Sequence, residues 1–575
     1  MNWARYLREV HQTYSRGDAS EPSYIEGLAG RASSCSRRTV QPKRTEVGIP
    51  DFRVTGTGNR IIGYIEAKDP ATEDLKEVAE MEQLKRYRDL PNLILTNFFE
   101  FWLFGDGKLI GKAKLANPFP MIELGQPPPL KESGRFAELL DQFLSFSTPQ
   151  TYTAKALATE LARRTRLLQS LISVELGQGS PEVAGLYEAF KEELIESLTP
   201  EGFADMYAQT ITYGLFSARM RAGEQEFSRR AAYEFIPSTI PLLRRLFYFL
   251  TGPNLPESLE WIVDDITSVL ANADISSILA EFHTKTWTDD PVIHFYETFL
   301  AVYNPRERER RGVYYTPPPV VSYIVRSLHH LLKEKFGKPD GLADRSVTLL
   351  DPAAGTLTFP TMAIKLAKQE LEEKGKAGLF PALVRQHILK NFYAFELLVA
   401  PYAIGHLKAA IVLEDLDYHL GEGERFQLYL TNSLEMKEPK ELPLMPDLAR
   451  EGQRAKEIKE RIPILVICGN PPYSVSSENK SEFIEGLMDD YKEDVRGERN
   501  IQPLSDDYIK FIRFAQWKIE QAGRGIVGYI SNNSYLSGLI HRGMRQRLLE
   551  AFDVPMVGRT RTSSTSSKGW RLRCS

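Results

Sequence analysis

Asn470, Pro471, Pro472 and Tyr473 follow directly on an apolar, β-leaning run from Ile464 to Gly469. Two prolines remove two backbone donors and fix two φ angles, so the chain can neither continue a strand nor open an ordinary helix there. The corner offers an amide side chain, a carbonyl of locked direction and an aromatic ring at one strand end. An exocyclic amine on an aromatic base is a poor nucleophile, because its lone pair is delocalised into the ring. Two acceptors aimed at its hydrogens, the Asn470 side-chain oxygen and the Pro471 carbonyl, would favour a tetrahedral nitrogen. They would also stabilise the positive charge that grows as this nitrogen attacks a methyl sulfonium. Tyr473 supplies a face for the base to stack upon. Two prolines after a strand are more often only a turn, and it is two further strand ends that argue for chemistry.

The first is "LLDPAAGTLTF", where an apolar strand delivers Asp351 and a small-residue loop with Gly355 and Thr356 leads into a helix near Phe359. Strand, loop and helix start in this order form the geometry that binds a nucleotide-like ligand at the carboxyl edge of a parallel sheet. The second is "FYAFELLVAPYA", whose Glu396 is placed to accept hydrogen bonds from ribose hydroxyls. A separate constellation lies near the N-terminus. "GIPDFRVTGTGNRIIGYIEAK" sets Asp51 on one strand and Glu66 and Lys68 on the next. Period-two alternation puts Tyr64, Glu66 and Lys68 on one face. Asp51 and Glu66 could hold Mg²⁺, which polarises a phosphate and lowers the pKa of a bound water, with Lys68 orienting that water.

These residues need a scaffold of several domains, about three or four for a chain of 575 residues. With 42% hydrophobic and 26% charged residues the composition is that of a soluble globular protein. No apolar run approaches the roughly 20 residues of a membrane span, and "MNWARYLREV" carries charges where a signal peptide is apolar. Cys35, Cys468 and Cys574 are too scattered for a disulfide framework or a zinc cluster, so a reducing, cytoplasmic setting is expected. A net charge of −4 leaves the partner undecided. The pattern is mixed α/β over residues 1–115, with a hairpin of "PDFRV" and "RIIGYIEAK" and a strand pair in "NLILTNFFEFWLFG". A Pro/Gly-rich stretch, 116–134, reads as a linker, and 135–300 as a helical spacer. From 301 to 553 strands alternate with helices, the signature of a doubly wound sheet. The tail 554–575, "GRTRTSSTSSKGWRLRCS" at its end, reads as irregular.

The stretch from about 290 to 550 resembles the gamma class of DNA amino-methyltransferases, with five motifs in order. "GVYYTPPPVVSYIV" resembles the first, in which Tyr315, Thr316 and Pro317 would line the methionine end of S-adenosylmethionine. "DPAAGTLTF" resembles the cofactor loop, which implies cofactor contacts for Asp351, Ala353, Gly355, Thr356 and Phe359. Leu357 stands where a glycine is usual, implying a slightly more open loop. "YLTNSL" resembles the strand end that contacts adenine, with Asn432 where an aspartate is common. "NPPY" matches the catalytic motif, and "DDYIKFIRFAQWKI" and "GYISNNSYLSG" resemble the later motifs. The activity implied is methylation of N6 of an adenine swung out of double-stranded DNA. The N-terminal residues resemble the PD-(D/E)xK nuclease core, with Gln83 and Tyr87 as its QxxxY element and Glu21 as a further acid. A Rossmann-like methyltransferase, a helical spacer and a nuclease in one chain resemble single-polypeptide restriction–modification enzymes. "GDGKLIGKAK" has the wrong spacing for a phosphate-binding loop, so no ATP-driven translocation is expected and the type IIG arrangement is preferred. That resemblance also implies a target-recognition domain after the catalytic motifs, so the short tail reads as a truncation or reading-frame change. Rival readings are a methyltransferase of protein glutamine amides and a catalytically inert remnant that only binds DNA.

Overall fold

The computed structural model describes residues 3–16, 24, 38–40, 50–55, 61–72, 74–81, 87, 90–145, 153–236, 240–251, 255–278, 291–303, 316–438, 445–475, 477–553, 556–558 and 568–573. A six-stranded sheet forms first, in the order β1 (Arg38–Val40), β2 (Phe52–Thr55), β3 (Ile61–Ala67), β4 (Leu93–Thr96), β5 (Glu100–Gly105), β6 (Lys108–Lys114). All neighbours are antiparallel except β3 and β4. The expected hairpin is β2–β3, with Phe52 opposite Ile65, and the expected strand pair is β4–β5. Alternation buries both faces. Ile94, Phe101 and Leu103 pack with Trp3 and Phe136, while Leu93, Leu95, Trp102 and Phe104 join the core of the helical segment.

Two boundaries differ from the sequence reading. The stretch 116–134 is not a free linker: it contains the helix Phe119–Leu124, an Ala116–Leu130 bridge and a buried Met121. The helix Ser133–Leu144, assigned to the spacer, packs Phe136, Leu139, Leu140 and Phe143 on the first sheet. Proline and glycine marked turns here, but the apolar residues between them found a sheet face to cover. The spacer proper is built of long helices, among them Ala154–Gly177, Pro200–Ala222 and Glu257–Ala271.

The second sheet comprises β7 (Leu349–Asp351), β8 (Phe392–Glu396), β9 (Gln427–Leu430), β10 (Val466–Gly469), β11 (Ile526–Ser531), β12 (Met556–Gly558) and β13 (Lys568–Arg573). Its order is β12-β13-β11-β10-β7-β8-β9, and β7 to β11 run parallel. The chain winds outward through β8 and β9, then returns to the other side of β7 as β10. That reversal between β7 and β10 opens a crevice at their carboxyl ends, where doubly wound sheets bind ligands. The tail is not irregular throughout: β13 runs antiparallel to both β11 and β12. "KGWRLR" alternates Trp570 and Leu572 with Arg571 and Arg573, a period-two pattern hidden by the polar stretch before it. Among the described residues no helix is long and apolar enough to cross a membrane.

Candidate active site

Strand ends β7 and β10 meet so closely that residue 469 must lack a side chain. A Cβ on Gly469 would lie 2.7 Å from Asp351 Oδ1. Asp351 is 1% exposed, accepts from the Ala353 amide at 3.1 Å, and its buried Oδ2 has no partner. Burial holds its carboxyl well above the usual range. Asn470 follows immediately on β10. Its Nδ2 donates to Thr316 Oγ1 and its Oδ1 accepts from the Tyr473 hydroxyl, both at 3.2 Å. An amide oxygen has two lone pairs, so one stays available. Burial raises the Tyr473 hydroxyl, and its ring lies 5.8 Å from that of Tyr508.

These strand ends open into a cavity of about 1240 Å³, lined by Thr316, Ala353, Gly355, Thr356, Phe359, Glu396, Asn432, Asn470, Pro472 and Tyr473 among others. Most of the sequence-predicted residues therefore share one wall. Pro471 is buried and stands outside that wall, as do Asp351 and Pro317, so the expected Pro471 acceptor is not brought to it. Tyr315 lies outside the described residues. Glu396 is half-buried and spans the cofactor loop and the next helix: Oε2 accepts from Gly355 N at 2.8 Å, and Oε1 from Leu397 and Leu398 N at 2.9 and 2.8 Å. Burial pushes its pKa up to about 7 against the pull of these three donors. Gly355 has φ +53 and nothing within 4 Å of where a Cβ would stand, so a ligand can approach its backbone. Position, volume and the open approach to the Gly355 backbone together fit S-adenosylmethionine.

Leu357 adopts φ +62, the left-handed conformation that favours glycine, as the helix Thr358–Glu373 begins. Its side chain is fully buried beside Gly405, where a Cβ would come within 3.2 Å of Leu357 Cγ. The loop thus keeps a glycine-type backbone, and apolar burial holds the strained residue in place. Leu357→Gly removes strain of about 1 kcal/mol but loses roughly 2–5 kcal/mol of packing. A net loss of about 2 kcal/mol is expected in urea unfolding.

Residues 288–557 match the family described as N-6 DNA Methylase. None of the curated proteins compared matches the chain. Solved structures share the fold. The cryoEM structure of a DrdV–DNA complex superposes with TM-score 0.52 at 21% identity, covering 99% of this chain and 56% of that one. A nuclease-deletion mutant of the Type ISP restriction-modification enzyme LlaGI, with a DNA substrate mimic, gives 0.56 at 19%, covering 76% and 36%. The ATP-dependent Type ISP enzyme LlaBIII bound to DNA gives 0.56 at 21%, covering 77% and 30%. The chain spans little more than half of the first and about a third of the others. Residues 288–557 are thus similar to N-6 DNA methylases, and two of these structural neighbours are Type ISP restriction-modification enzymes.

Around these strand ends Asn432 and several polar residues that the sequence did not single out tie the wall together. Asp506 caps the helix Asp507–Ala522 and accepts from Ser474 N at 2.9 Å, directly after Tyr473. Asp507 accepts from Ser477 Oγ and Asn479 Nδ2 at 2.6 and 2.9 Å, and Asn479 Oδ1 accepts from Asn432 Nδ2 at 3.1 Å. Asn432 Oδ1 accepts from Leu434 N, so both ends of this amide, expected to face adenine, are engaged within the protein. "SDDY" carries the residue types of a helix cap, but nothing in it signals the reach across to the diproline corner. Asp506→Ala is expected to lower kcat for methylation about a hundredfold by loosening that corner. Asp506→Asn, which keeps an acceptor for Ser474, should recover most of it.

On the first sheet Asp51 Oδ2 accepts from Ala67 N at 2.7 Å, and Lys68 Nζ donates to Glu66 Oε1 at 2.6 Å. Glu66 is 1% exposed and its Oε2 has no partner. Burial first, then the Asp51 charge, push its carboxyl up to about 7. Tyr87 is fully buried in the same apolar cluster as Tyr64, while Gln83 and Glu21 lie outside the described residues. Among the described residues no three acid, His or Cys groups gather for a metal. The two carboxylates and the orphaned Oε2 fit a hard cation that completes its shell with water.

Proposed function

We propose that the chain transfers a methyl group from S-adenosylmethionine to N6 of an adenine extruded from double-stranded DNA. We propose further that its first sheet is a Mg²⁺-dependent, PD-(D/E)xK-type nuclease, so that both activities reside in one type IIG-like polypeptide. The observation that carries the first activity is Asn470 at the end of β10, facing a cavity shared with Gly355, Glu396 and Tyr473. The cofactor supplies an electrophilic methyl. The protein supplies placement: Gly355 and Glu396 hold the nucleoside end, Thr316 fixes the Asn470 amide, and Asn470 Oδ1 accepts from the base amine as its nitrogen turns tetrahedral. Extrusion of the base costs a few kcal/mol. Correct alignment of donor and acceptor lowers the barrier by roughly 7–11 kcal/mol. For the second activity, Asp51 and Glu66 would hold Mg²⁺, which supplies an activated water and a polarised phosphate, with Lys68 beside them.

Incubation with tritiated S-adenosylmethionine and mixed bacterial DNA tests the first activity. Label is expected in N6-methyladenine. Label in protein glutamine, or in neither polymer, would overturn the reading.

A further inference from the structure

The cavity has a second wall, and it comes from the helical segment rather than from the methylase domain. Gln169 of the helix Ala154–Gly177, the Glu196–Thr199 loop, and Asp205 of the helix Pro200–Ala222 line the same space as Gly355, Glu396 and Asn470. We propose that this segment is a built part of the S-adenosylmethionine site, with Gln169 as a cofactor-binding residue and the Tyr303–Asp205 pair as its support. The inference rests on the methyltransferase reading above.

Three observations carry it. The first is rigidity. Spacer and methylase helices share one apolar core, to which Ala208, Ile211 and Leu215 of the helix Pro200–Ala222 and Tyr402, Ile404 and Leu407 of the helix Val399–Asp415 all belong. At the cavity rim Lys437 pairs with Glu196 at 3.6 Å. A wall held this way stands in a fixed position over the strand ends. The second is coverage on two sides. The carboxyl ends of β7, β8 and β10 give one side of the cavity, and the helical segment gives another. A ligand flanked on two sides loses part of its contact with water, which strengthens its hydrogen bonds to the walls.

The third is local polar construction. The Tyr303 hydroxyl is 2.7 Å from Asp205 Oδ1 and 3.0 Å from Gln169 Oε1, and Gln209 Nε2 donates to Asp205 Oδ2 at 2.9 Å. Asp205 and Tyr303 are both buried. One end of the Gln169 amide lies against Tyr303, and Gln169 itself lines the cavity wall. A polar group on a partly apolar wall is what orients a small ligand. An amide suits the cofactor, whose carboxylate, ammonium and purine edge all offer partners.

Isothermal titration of S-adenosylmethionine into the full chain decides the matter. Gln169→Leu is expected to weaken binding about tenfold, the measure of one hydrogen bond. Ser197→Trp, at an exposed position of the same wall, fills space at the mouth and should weaken binding at least as much. Ser197→Trp should also leave the melting temperature of the ligand-free protein unchanged, which separates lost binding from lost folding. Glu396→Ala serves as the control on the methylase side. If it loses affinity while both helical-segment variants bind within twofold of wild type, the second wall has no part in binding and this inference falls alone. If Glu396→Ala also binds as wild type, the methyltransferase reading falls with it.

Discussion

Asn470→Ala is expected to lower methyl transfer to DNA adenine about a hundred- to a thousandfold while leaving the Kd for S-adenosylmethionine within about twofold. The size follows from what the side chain does. Its oxygen meets the amine only as charge develops on nitrogen, so its loss is felt in the transition state and hardly in the bound ground state. Cofactor binding is spared because the Asn470 amide is tied to Thr316 and Tyr473, while the proposed nucleoside-binding pair, Gly355 and Glu396, sits at the ends of other strands. Tyr473→Phe makes a useful companion. It removes the hydroxyl that shares the Asn470 oxygen and keeps the ring for stacking, so a change of less than about tenfold is expected. Tritium incorporation and calorimetry measured on the same preparations check both. Parallel loss of transfer and of cofactor affinity in Asn470→Ala would make the residue structural.

The strand ends were readable because each is an apolar run closed by a chemically distinctive residue: Asp351, Glu396 and Asn470 are all found at the carboxyl edge of one parallel sheet. Their order along the chain even carries the switch point, since β10 must return past β7 to bring Asn470 beside Asp351. What stayed hidden arises from contacts distant in sequence. Gln169 belongs to an ordinary amphipathic helix, and only the fold sets it opposite Glu396. Asp506 reads as a helix cap, yet its carboxylate also reaches a loop 32 positions away. β6 is hidden because glycine and three lysines in "KLIGKAK" dilute its alternation and leave most of the strand exposed. β13 is hidden because a polar tract precedes its four alternating residues, Trp570 to Arg573. Leu357 shows the limit from the other side. A glycine-type backbone held by a buried leucine cannot be inferred from local preference, because the compensating space is made by Gly405 in another helix.

The nuclease assignment makes a prediction in which activity and stability move in opposite directions. Lys68→Ala and Glu66→Gln should each stop Mg²⁺-dependent nicking in a form that engages DNA, and both should spare methylation, since the two sites lie on separate sheets. Glu66→Gln should in addition stabilise the metal-free protein. The wild-type carboxyl titrates near 7 in the fold, because it is buried beside Asp51, against an ordinary value of 4.5. A raised acid binds its proton more tightly in the folded state than in the unfolded one. Its contribution to stability is therefore fully present below about pH 4.5 and is lost as the pH climbs to 7. At pH 8 the ionised group costs roughly 3 kcal/mol, which a bound divalent cation would offset and which the neutral amide never incurs. Melting curves without metal should accordingly coincide for the two proteins near pH 4.5 and separate in favour of Glu66→Gln at pH 8. Magnesium should then raise the wild-type melting temperature more than that of the variant. Nicking should likewise rise with pH through about 7, as the carboxylate becomes able to hold the cation. Equal magnesium stabilisation of wild type and Glu66→Gln, or persistent nicking by Lys68→Ala, would leave the buried pair as a structural feature of the sheet with no metal to bind.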